Sequence, residues 1–165
     1  MFDIQIKVGA LVKKDDGLFL ISERGQSTHQ RRTKEKYLWN IVKGTFDPKL
    51  DKSLLDTAVR ECKEEINVKV KVEKLLNFVY LRENKKIRLQ FNFLCKVVGK
   101  DTVKISSKDK QKIYQENIND CKLFSKAELQ KLKQKDFIDK RAFVAINDYL
   151  AGKSLPLSTI REIIK

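Results

Sequence analysis

The feature that most constrains this chain is the run Arg60-Glu61-Cys62-Lys63-Glu64-Glu65-Ile66-Asn67-Val68. In a helix, which turns by about 100° per residue, Glu61, Glu64 and Glu65 fall on one flank. An apolar face adjoins that flank and consists of Leu55, Ala58, Val59, Cys62 and Ile66. The run therefore predicts an amphipathic helix that packs on one face and carries three carboxylates on the next.

These three carboxylates need something that neutralises them. Like charges three or four residues apart in a helix destabilise it by about 0.2–0.5 kcal/mol per pair. Mg²⁺ binds carboxylate oxygens, retained waters and phosphate oxygens, so it is a suitable counterion. The alternative interpretation is a helix face that only meets water, as most charged runs do. The spacing indicates Glu61, Glu64 and Glu65 as candidate metal ligands.

The residues before the run predict how this helix begins. Ser53, followed three residues later by Asp56, is typical of a helix N-cap with a capping-box partner. Upstream, residues 39–48 read as a short apolar strand that runs into a loop containing Gly44 and Pro48. A strand, a loop and an acidic helix are thus expected in succession.

At these residues the chain resembles the Nudix hydrolase family, whose signature is G-x5-E-x7-R-E-U-x-E-E-x-G-U, with U an aliphatic residue. The second half of the signature matches at Arg60, Glu61, Glu64 and Glu65. Gly44 stands in the place of the first glycine, preceded by Lys43 and Trp39 as in family members that read W-x-x-P-K-G. The resemblance implies an α/β fold, an α/β/α sandwich with a mixed β-sheet, here with additional C-terminal helices.

Three positions depart from the signature. The loop before the helix is two residues longer, and Lys52 stands where the first signature glutamate belongs. Asn67 replaces the last glycine, a mild change because asparagine tolerates the left-handed conformation better than other non-glycine residues. For the missing glutamate, Asp51 or Asp47 would have to substitute, or the loop is held differently.

The resemblance implies a divalent-metal-dependent pyrophosphohydrolase that cleaves the diphosphate linkage of a nucleoside diphosphate linked to another moiety, X. Glu61, Glu64 and Glu65 would hold Mg²⁺ or Mn²⁺, which lowers the pKa of an attacking water. Arg60 would orient a signature glutamate through a salt bridge. Both Glu64 and Glu116 are candidates for the base that activates this water. The expected partner is a nucleotide or another small molecule with a phosphoanhydride bond.

Four further residues are candidates for substrate binding. By the resemblance, Lys43 and Gly44 shape the loop near the phosphates. Arg31 and Arg32 lie in a polar stretch just before the strand that leads to Gly44. Arginine binds phosphate with two parallel hydrogen bonds. The resemblance implies a layout in which this pair lies near the mouth of the site and binds phosphates there.

The charge of the chain supports an anionic partner but leaves its nature open. A formal net charge of +14 creates a field that concentrates anions, although a lysine-rich surface also simply keeps a protein solvated. The alternative function is therefore a catalytically weak or inactive Nudix-like domain that binds nucleotide or RNA through its basic surface. A third interpretation is an interaction protein whose acidic helix has no chemical role.

Length and composition bound the organisation of the protein. A chain of 165 residues with 41% apolar content is expected to form one domain over residues 1–165. Three cysteines without paired spacing, and no apolar leader near Met1, predict a cytoplasmic protein without a zinc site. No apolar run approaches the ~20 residues that span a bilayer, so no membrane contact is expected. A homodimer is compatible with the sequence, which does not specify the oligomeric state.

Alternating apolar residues predict the other elements. Two hairpins are expected, with turns at residues 14–17 and 83–86. After a short strand at residues 121–124, helices are expected over residues 126–133 and 136–150, with Ser125 and Glu128 as a capping box and Gly152 as the final stop.

Overall fold

The computed structural model describes residues 3–24, 37–99, 102–113, 117–161 and 163. Three of the candidate site residues, Arg31, Arg32 and Glu116, lie outside the described residues, and their roles stay predictions. None of the described helices is long and apolar enough to cross a membrane.

In the described part of the chain, one sheet contains seven strands: β1 Asp3–Lys14, β2 Gly17–Arg24, β3 Tyr37–Asn40, β4 Val42–Thr45, β5 Val70–Glu83, β6 Lys86–Val97 and β7 Ile118–Ser125. Their order is β3-β2-β1-β6-β5, while β4 pairs with β1 and β7 pairs with β2. The sheet is mixed because β1 and β6 run parallel and the other pairs run antiparallel. Both predicted hairpin turns are confirmed, with Asp15 and Asn84 at positive φ.

Two longer helices cover the two faces of the sheet. They are α1 Leu54–Ile66 and α4 Lys140–Leu150, and two shorter helices are α2 Lys108–Ile113 and α3 Lys126–Lys131. Helix α1 packs on a core cluster that includes Val8, Ala10 and Val12 of β1. Helix α4 packs on a second cluster that includes Leu11. Successive side chains of a strand point to opposite faces, so the two helices enclose the sheet and the predicted α/β/α sandwich is confirmed.

Several expectations from the sequence are wrong in detail. The helices expected over residues 126–133 and 136–150 extend over Lys126–Lys131 and Lys140–Leu150. The apolar segment before the acidic helix forms two strands, because β3 pairs with β2 whereas β4 pairs with β1. Between them, the Asn40 side chain accepts a hydrogen bond from the Ile41 N–H. Gly44 lies within β4, paired with Val8, and not in a loop. Val59 is 37% exposed and does not join the packed face of α1.

The C-terminal segment contacts the outer edge of β5, the last strand of the sheet order. Leu155 and Leu75 exchange backbone hydrogen bonds of 3.0 and 2.7 Å. The pairing of β5 with β6 is irregular on both sides of Leu75, with register shifts between Val72 and Lys74 and between Leu75 and Asn77. This edge of the sheet is therefore interrupted.

Candidate active site

Helix α1 begins and ends as the sequence predicts. The Ser53 hydroxyl accepts a hydrogen bond from the Asp56 N–H at 3.2 Å, which caps the first turn. At the other end Asn67 adopts a left-handed conformation with φ 54°, the conformation that glycine takes up most readily. These two ends fix the length of the helix that carries the three glutamates.

The structure assigns the role of the missing signature glutamate to Asp51. Arg60 Nε donates to Asp51 Oδ1 at 2.8 Å, and Arg60 Nη2 donates to Oδ2 at 2.9 Å. The buried Asp51 carboxylate also accepts from the Thr57 hydroxyl at 2.9 Å. The hydrogen bonds from Arg60 are the main reason why the pKa of Asp51 lies below its ordinary value. Asp51 is thus the anchor of the arginine.

Asp47, the other candidate for this role, shapes the loop instead. Its backbone carbonyl accepts from the N–H groups of Leu50 and Asp51, and its carboxylate accepts from the Lys49 N–H at 2.9 Å. Its own N–H donates to Asp51 Oδ2 at 3.2 Å. The longer loop is therefore a compact turn that delivers Asp51 to Arg60.

The rest of the Arg60 guanidinium contacts two of the predicted metal ligands. Nη1 donates to Glu61 Oε1 at 2.6 Å and to Glu64 Oε2 at 3.0 Å, while Nη2 also donates to the Thr45 carbonyl at 3.1 Å. Within the described residues, one arginine therefore serves three carboxylates. The cluster keeps an excess of negative charge.

Gly44 brings β4 into contact with the Glu61 carboxylate. A Cβ atom at this position would lie 1.7 Å from Glu61 Oε1, so only glycine leaves room for the carboxylate between helix and strand. Burial raises the pKa of Glu61 above its ordinary value, and the charge of Arg60 opposes that shift. Glu61 and Glu65 are both buried, which excludes the interpretation of this flank as a fully solvated surface.

The carboxylates line a cavity of about 580 Å³ at the edge of β4. Glu61, Glu64 and Glu65 lie on its acidic side, and two lysines, Lys7 and Lys43, also line it. Lys43 Nζ lies 3.6 Å from Glu23 Oε2, a carboxylate of β2. The cavity thus combines groups for a cation with groups for an anion.

The donor set fits a hard divalent cation. Among the described residues, no three Asp, Glu, His or Cys side chains converge into a closed metal cage. Mg²⁺ does not need one, because it uses one or two protein carboxylates and takes waters and substrate phosphates as its other ligands. Glu61, Glu64 and Glu65 offer such oxygens, and the single charge of Arg60 is shared between Glu61 and Glu64.

Lys7 and Arg141, which the sequence did not single out, lie on the α4 side of the sheet. Lys7 donates a hydrogen bond to the Thr45 hydroxyl. Arg141 forms an ion pair with Asp139, the N-cap of α4. Lys7 stands within a largely apolar strand, which is a weak indication of a functional residue. Arg141 gives no such indication, because many helices carry a basic residue in the first turn.

Comparisons with known proteins agree with this architecture. Residues 3–145 match the NUDIX domain family. A NUDIX hydrolase from Nitrosomonas europaea is 24% identical, with a TM-score of 0.73 over 98% of this chain and 98% of that chain. An ADP compounds hydrolase is 20% identical, with a TM-score of 0.66 over 90% of this chain and 74% of that one. No curated protein matches the sequence.

An ADP-ribose pyrophosphatase from Streptococcus suis shares the fold at 16% identity, with a TM-score of 0.56 over 88% of this chain and 90% of that chain. At such identities the solved structures show the fold alone, whereas the family match covers most of the sequence. The chain belongs to the Nudix hydrolase family.

Proposed function

We propose that the protein is a divalent-metal-dependent pyrophosphohydrolase that cleaves the diphosphate linkage of a nucleoside diphosphate linked to a moiety X. The observation that carries the proposal is one cavity in which three carboxylates of α1 share the lining with Lys7 and Lys43, while Arg60 bonds both Glu61 and Glu64. Membership of the Nudix family supports it, as do structural neighbours named for ADP compounds and ADP-ribose.

In this mechanism Glu61, Glu64 and Glu65 would hold Mg²⁺ or Mn²⁺. The bound metal supplies polarisation of a phosphoryl oxygen and a lowered pKa for the attacking water. Arg60 holds Glu61 and Glu64 in place, and Asp51 in turn fixes the plane of the guanidinium. This chain of hydrogen bonds sets the orientation of the carboxylates before substrate binds.

Glu64 is the better placed of the two candidate bases. Its side chain is 19% exposed whereas that of Glu61 is 7% exposed, so Glu64 reaches the water in the cavity more easily. Glu116, the other candidate, lies outside the described residues. Lys43 would neutralise phosphate oxygens from the basic part of the lining.

The binding-only alternative loses one of its supports. It rests on the basic surface, on Lys52 in the place of a signature glutamate and on the longer loop. Because Asp51 anchors Arg60 from that same loop, the departure leaves the geometry around the arginine complete. Nucleotide or RNA binding without hydrolysis becomes one outcome of the test.

The test is a substrate panel with Mg²⁺ or Mn²⁺: ADP-ribose, dinucleoside polyphosphates, NADH, nucleoside triphosphates and 5′-triphosphorylated RNA. Metal-dependent turnover of at least one compound is expected, and EDTA should abolish it. Absence of turnover throughout, together with salt-sensitive RNA binding, would establish the binding module instead.

The matching variant is Glu64→Gln, which should lower kcat by about 10²- to 10⁴-fold with the fold intact. Glu73→Gln serves as its control, since Glu73 lies on β5 and pairs with Lys13 at 3.4 Å. Full activity of Glu64→Gln would remove Glu64 from the mechanism. Equal losses in both variants would point to a general effect of charge.

A further inference from the structure

The face of the sheet beneath α4 carries a cluster of cations close to the cavity. Lys7, Lys43, Arg88 and Arg141 lie near enough to one another that, after burial itself, the other three contribute to lowering the pKa of Lys7. Their carboxylate partners among the described residues are three: Glu23 for Lys43, Glu83 for Arg88 and Asp139 for Arg141. The cluster therefore has a positive charge left over.

Lys7 is the cation of this cluster that lacks a carboxylate partner. In the part of the chain that the structure describes, its ammonium group bonds the Thr45 hydroxyl and no acidic side chain lies within ion-pair distance. Glu61 is the nearby acid whose charge raises the pKa of Lys7, but Glu61 is already bonded by Arg60. A half-buried ammonium of this kind calls for an anionic ligand.

Arg141 contributes an unused donor on the same face. The residue is 9% exposed, and Asp139 takes its Nε and Nη2 atoms. The third nitrogen, Nη1, is buried and has no hydrogen-bond partner among the described residues. Arg141 is not among the described residues that line the cavity of Lys7 and the glutamates, so its contribution is positive charge on this face of the sheet.

The cluster adjoins the glutamates across a single short strand. Lys7 pairs with Thr45, and the next position along β4 is Gly44, which contacts Glu61. Lys7 and Glu61 also line the same cavity. A phosphate chain that starts at the glutamates can therefore continue towards Lys7 without leaving the protein.

We propose that Lys7 binds a phosphate of the substrate other than the two whose linkage is cleaved, and that Arg141 adds positive charge behind it. The substrate class is then a nucleotide whose moiety X carries at least one further phosphate, such as a nucleoside triphosphate or a dinucleoside polyphosphate. This inference rests on the proposed function, which places the scissile diphosphate at the glutamates.

The first experiment measures binding without catalysis. Inorganic tripolyphosphate is titrated calorimetrically, in EDTA, into the wild-type protein, Lys7→Gln and Lys13→Gln. Lys13 is the matched control, since it lies on the same face of β1 but pairs with Glu73. We expect Lys7→Gln to weaken tripolyphosphate binding about ten- to hundredfold, the range of one charge-assisted hydrogen bond, and Lys13→Gln to leave it unchanged.

Equal losses in the two variants would overturn the proposal, because they would show that only the net charge attracts the anion. Arg141→Lys is the second variant: it keeps the charge that Arg141 contributes, and its helix content is checked by circular dichroism. It should leave tripolyphosphate binding unchanged, and a loss as large as that in Lys7→Gln would overturn the assignment to Lys7.

The second experiment compares kcat/KM for ATP and ADP-ribose, which share the adenosine diphosphate part but differ in a further phosphate. In Lys7→Gln the ratio should fall about tenfold through KM. Turnover of ADP-ribose but not of ATP by the wild type would overturn this inference alone. Turnover of neither, with tripolyphosphate binding still dependent on Lys7, would overturn the proposed function and support the phosphate site.

Discussion

Arg60 and Arg141 are two largely buried arginines whose surroundings have opposite charge. Arg60 is shared by Asp51, Glu61 and Glu64, so its neighbourhood is acidic in excess. Arg141 has one carboxylate, Asp139, and its neighbourhood includes unpaired positive charge. Arg60 is thus a single positive charge among negative ones, whereas Arg141 is one of several positive charges.

The difference teaches what each region is built to receive. A carboxylate cluster with too few cations favours a metal ion, and a cation cluster with too few carboxylates favours a phosphate. Only β4 separates the two clusters. A metal-bound polyphosphate matches both at once, because it presents positive charge at one end and free phosphate oxygens at the other.

The largest effect is expected from Gly44→Ala, which breaks the acidic cluster. The new methyl group would overlap Glu61 Oε1 and displace the carboxylate, and misplacement of a catalytic group by about 1 Å costs about 100-fold in rate. Affinity for Mn²⁺, measured by electron paramagnetic resonance, should fall with kcat. Gly152→Ala is the control: its φ of 70° makes alanine cost stability, but its Cβ meets nothing within 4 Å, so the substitution does not displace Glu61. Normal Mn²⁺ affinity in Gly44→Ala would contradict the role of Glu61.

Asp51→Asn should have the second largest effect, because it removes the carboxylate that anchors Arg60. We expect a loss of about 3 kcal/mol in the free energy of unfolding, as for a buried ion pair that loses one partner. Urea denaturation measures it. Asp47→Asn is the matched control and should cost less than about 1 kcal/mol, since Asp47 acts mainly through its backbone. A larger loss for Asp47→Asn would reverse the assignment of the two residues.

Asp139→Asn tests the basic cluster through its pH dependence. Burial acts to raise the pKa of Asp139, but hydrogen bonds and charge from Arg141 outweigh it and hold the pKa below the ordinary value of 3.8. The stabilisation is therefore present above pH 3.8 and is lost as the pH falls below it. Asparagine also caps a helix, so the variant reports the ion pair.

We expect Asp139→Asn to lose about 1–2 kcal/mol of unfolding free energy at pH 7. Urea denaturation at pH 7 and pH 3 should show the difference from the wild type shrinking at the lower pH. A difference that is the same at both values would mean that the carboxylate charge contributes nothing.

Asn67→Ala should give the smallest effect on stability, and its effect should be confined to α1, the helix that carries the glutamates. Alanine at φ 54° costs about 1 kcal/mol, which lowers Tm by about 2–4 °C in a chain of this size. Asn67→Gly is the control and should melt at or above the wild-type temperature. Tripolyphosphate binding should stay unchanged in both, because the C-terminal end of α1 does not reach the basic cluster.

Much of the fold could be predicted because its signals are local. Ser53 and Asp56 mark the start of α1, and Ser125 and Glu128 form the capping box expected for α3. The hairpins follow from alternating apolar residues around short polar turns. Each of these patterns is encoded within a few residues, so it can be read without knowing the tertiary structure.

The site could be predicted only in part, because its details depend on how distant segments meet. The sequence left Asp51 and Asp47 as alternatives, and the choice depends on the path of the loop. From the sequence, Gly44 was interpreted as part of a loop. In the structure it lies in β4, where the absence of a Cβ atom leaves room for the Glu61 carboxylate. Glycine serves both purposes, and sequence does not separate them.

The sequence did not indicate Lys7 and Arg141, because their proximity depends even more on how distant segments pack. They come from distant parts of the chain and lie on one side of the sheet only because α4 packs on the cluster that includes Leu11 of β1. Lys7 stands among apolar residues of a strand, and Arg141 stands beside an ordinary N-cap. Neither pattern has a spacing that indicates a binding site.

The interrupted outer edge of β5 bears on how these molecules behave at high concentration. A free edge strand is a template onto which a strand of another molecule can add. Leu155 occupies the backbone groups of Leu75, and the flanking irregularities break the row on either side. Among the described residues, the longest part of β5 without such an interruption is residues 78–83, where Phe78 and Tyr80 are half exposed. At high concentration we therefore expect a strand of another molecule to add at that hairpin tip.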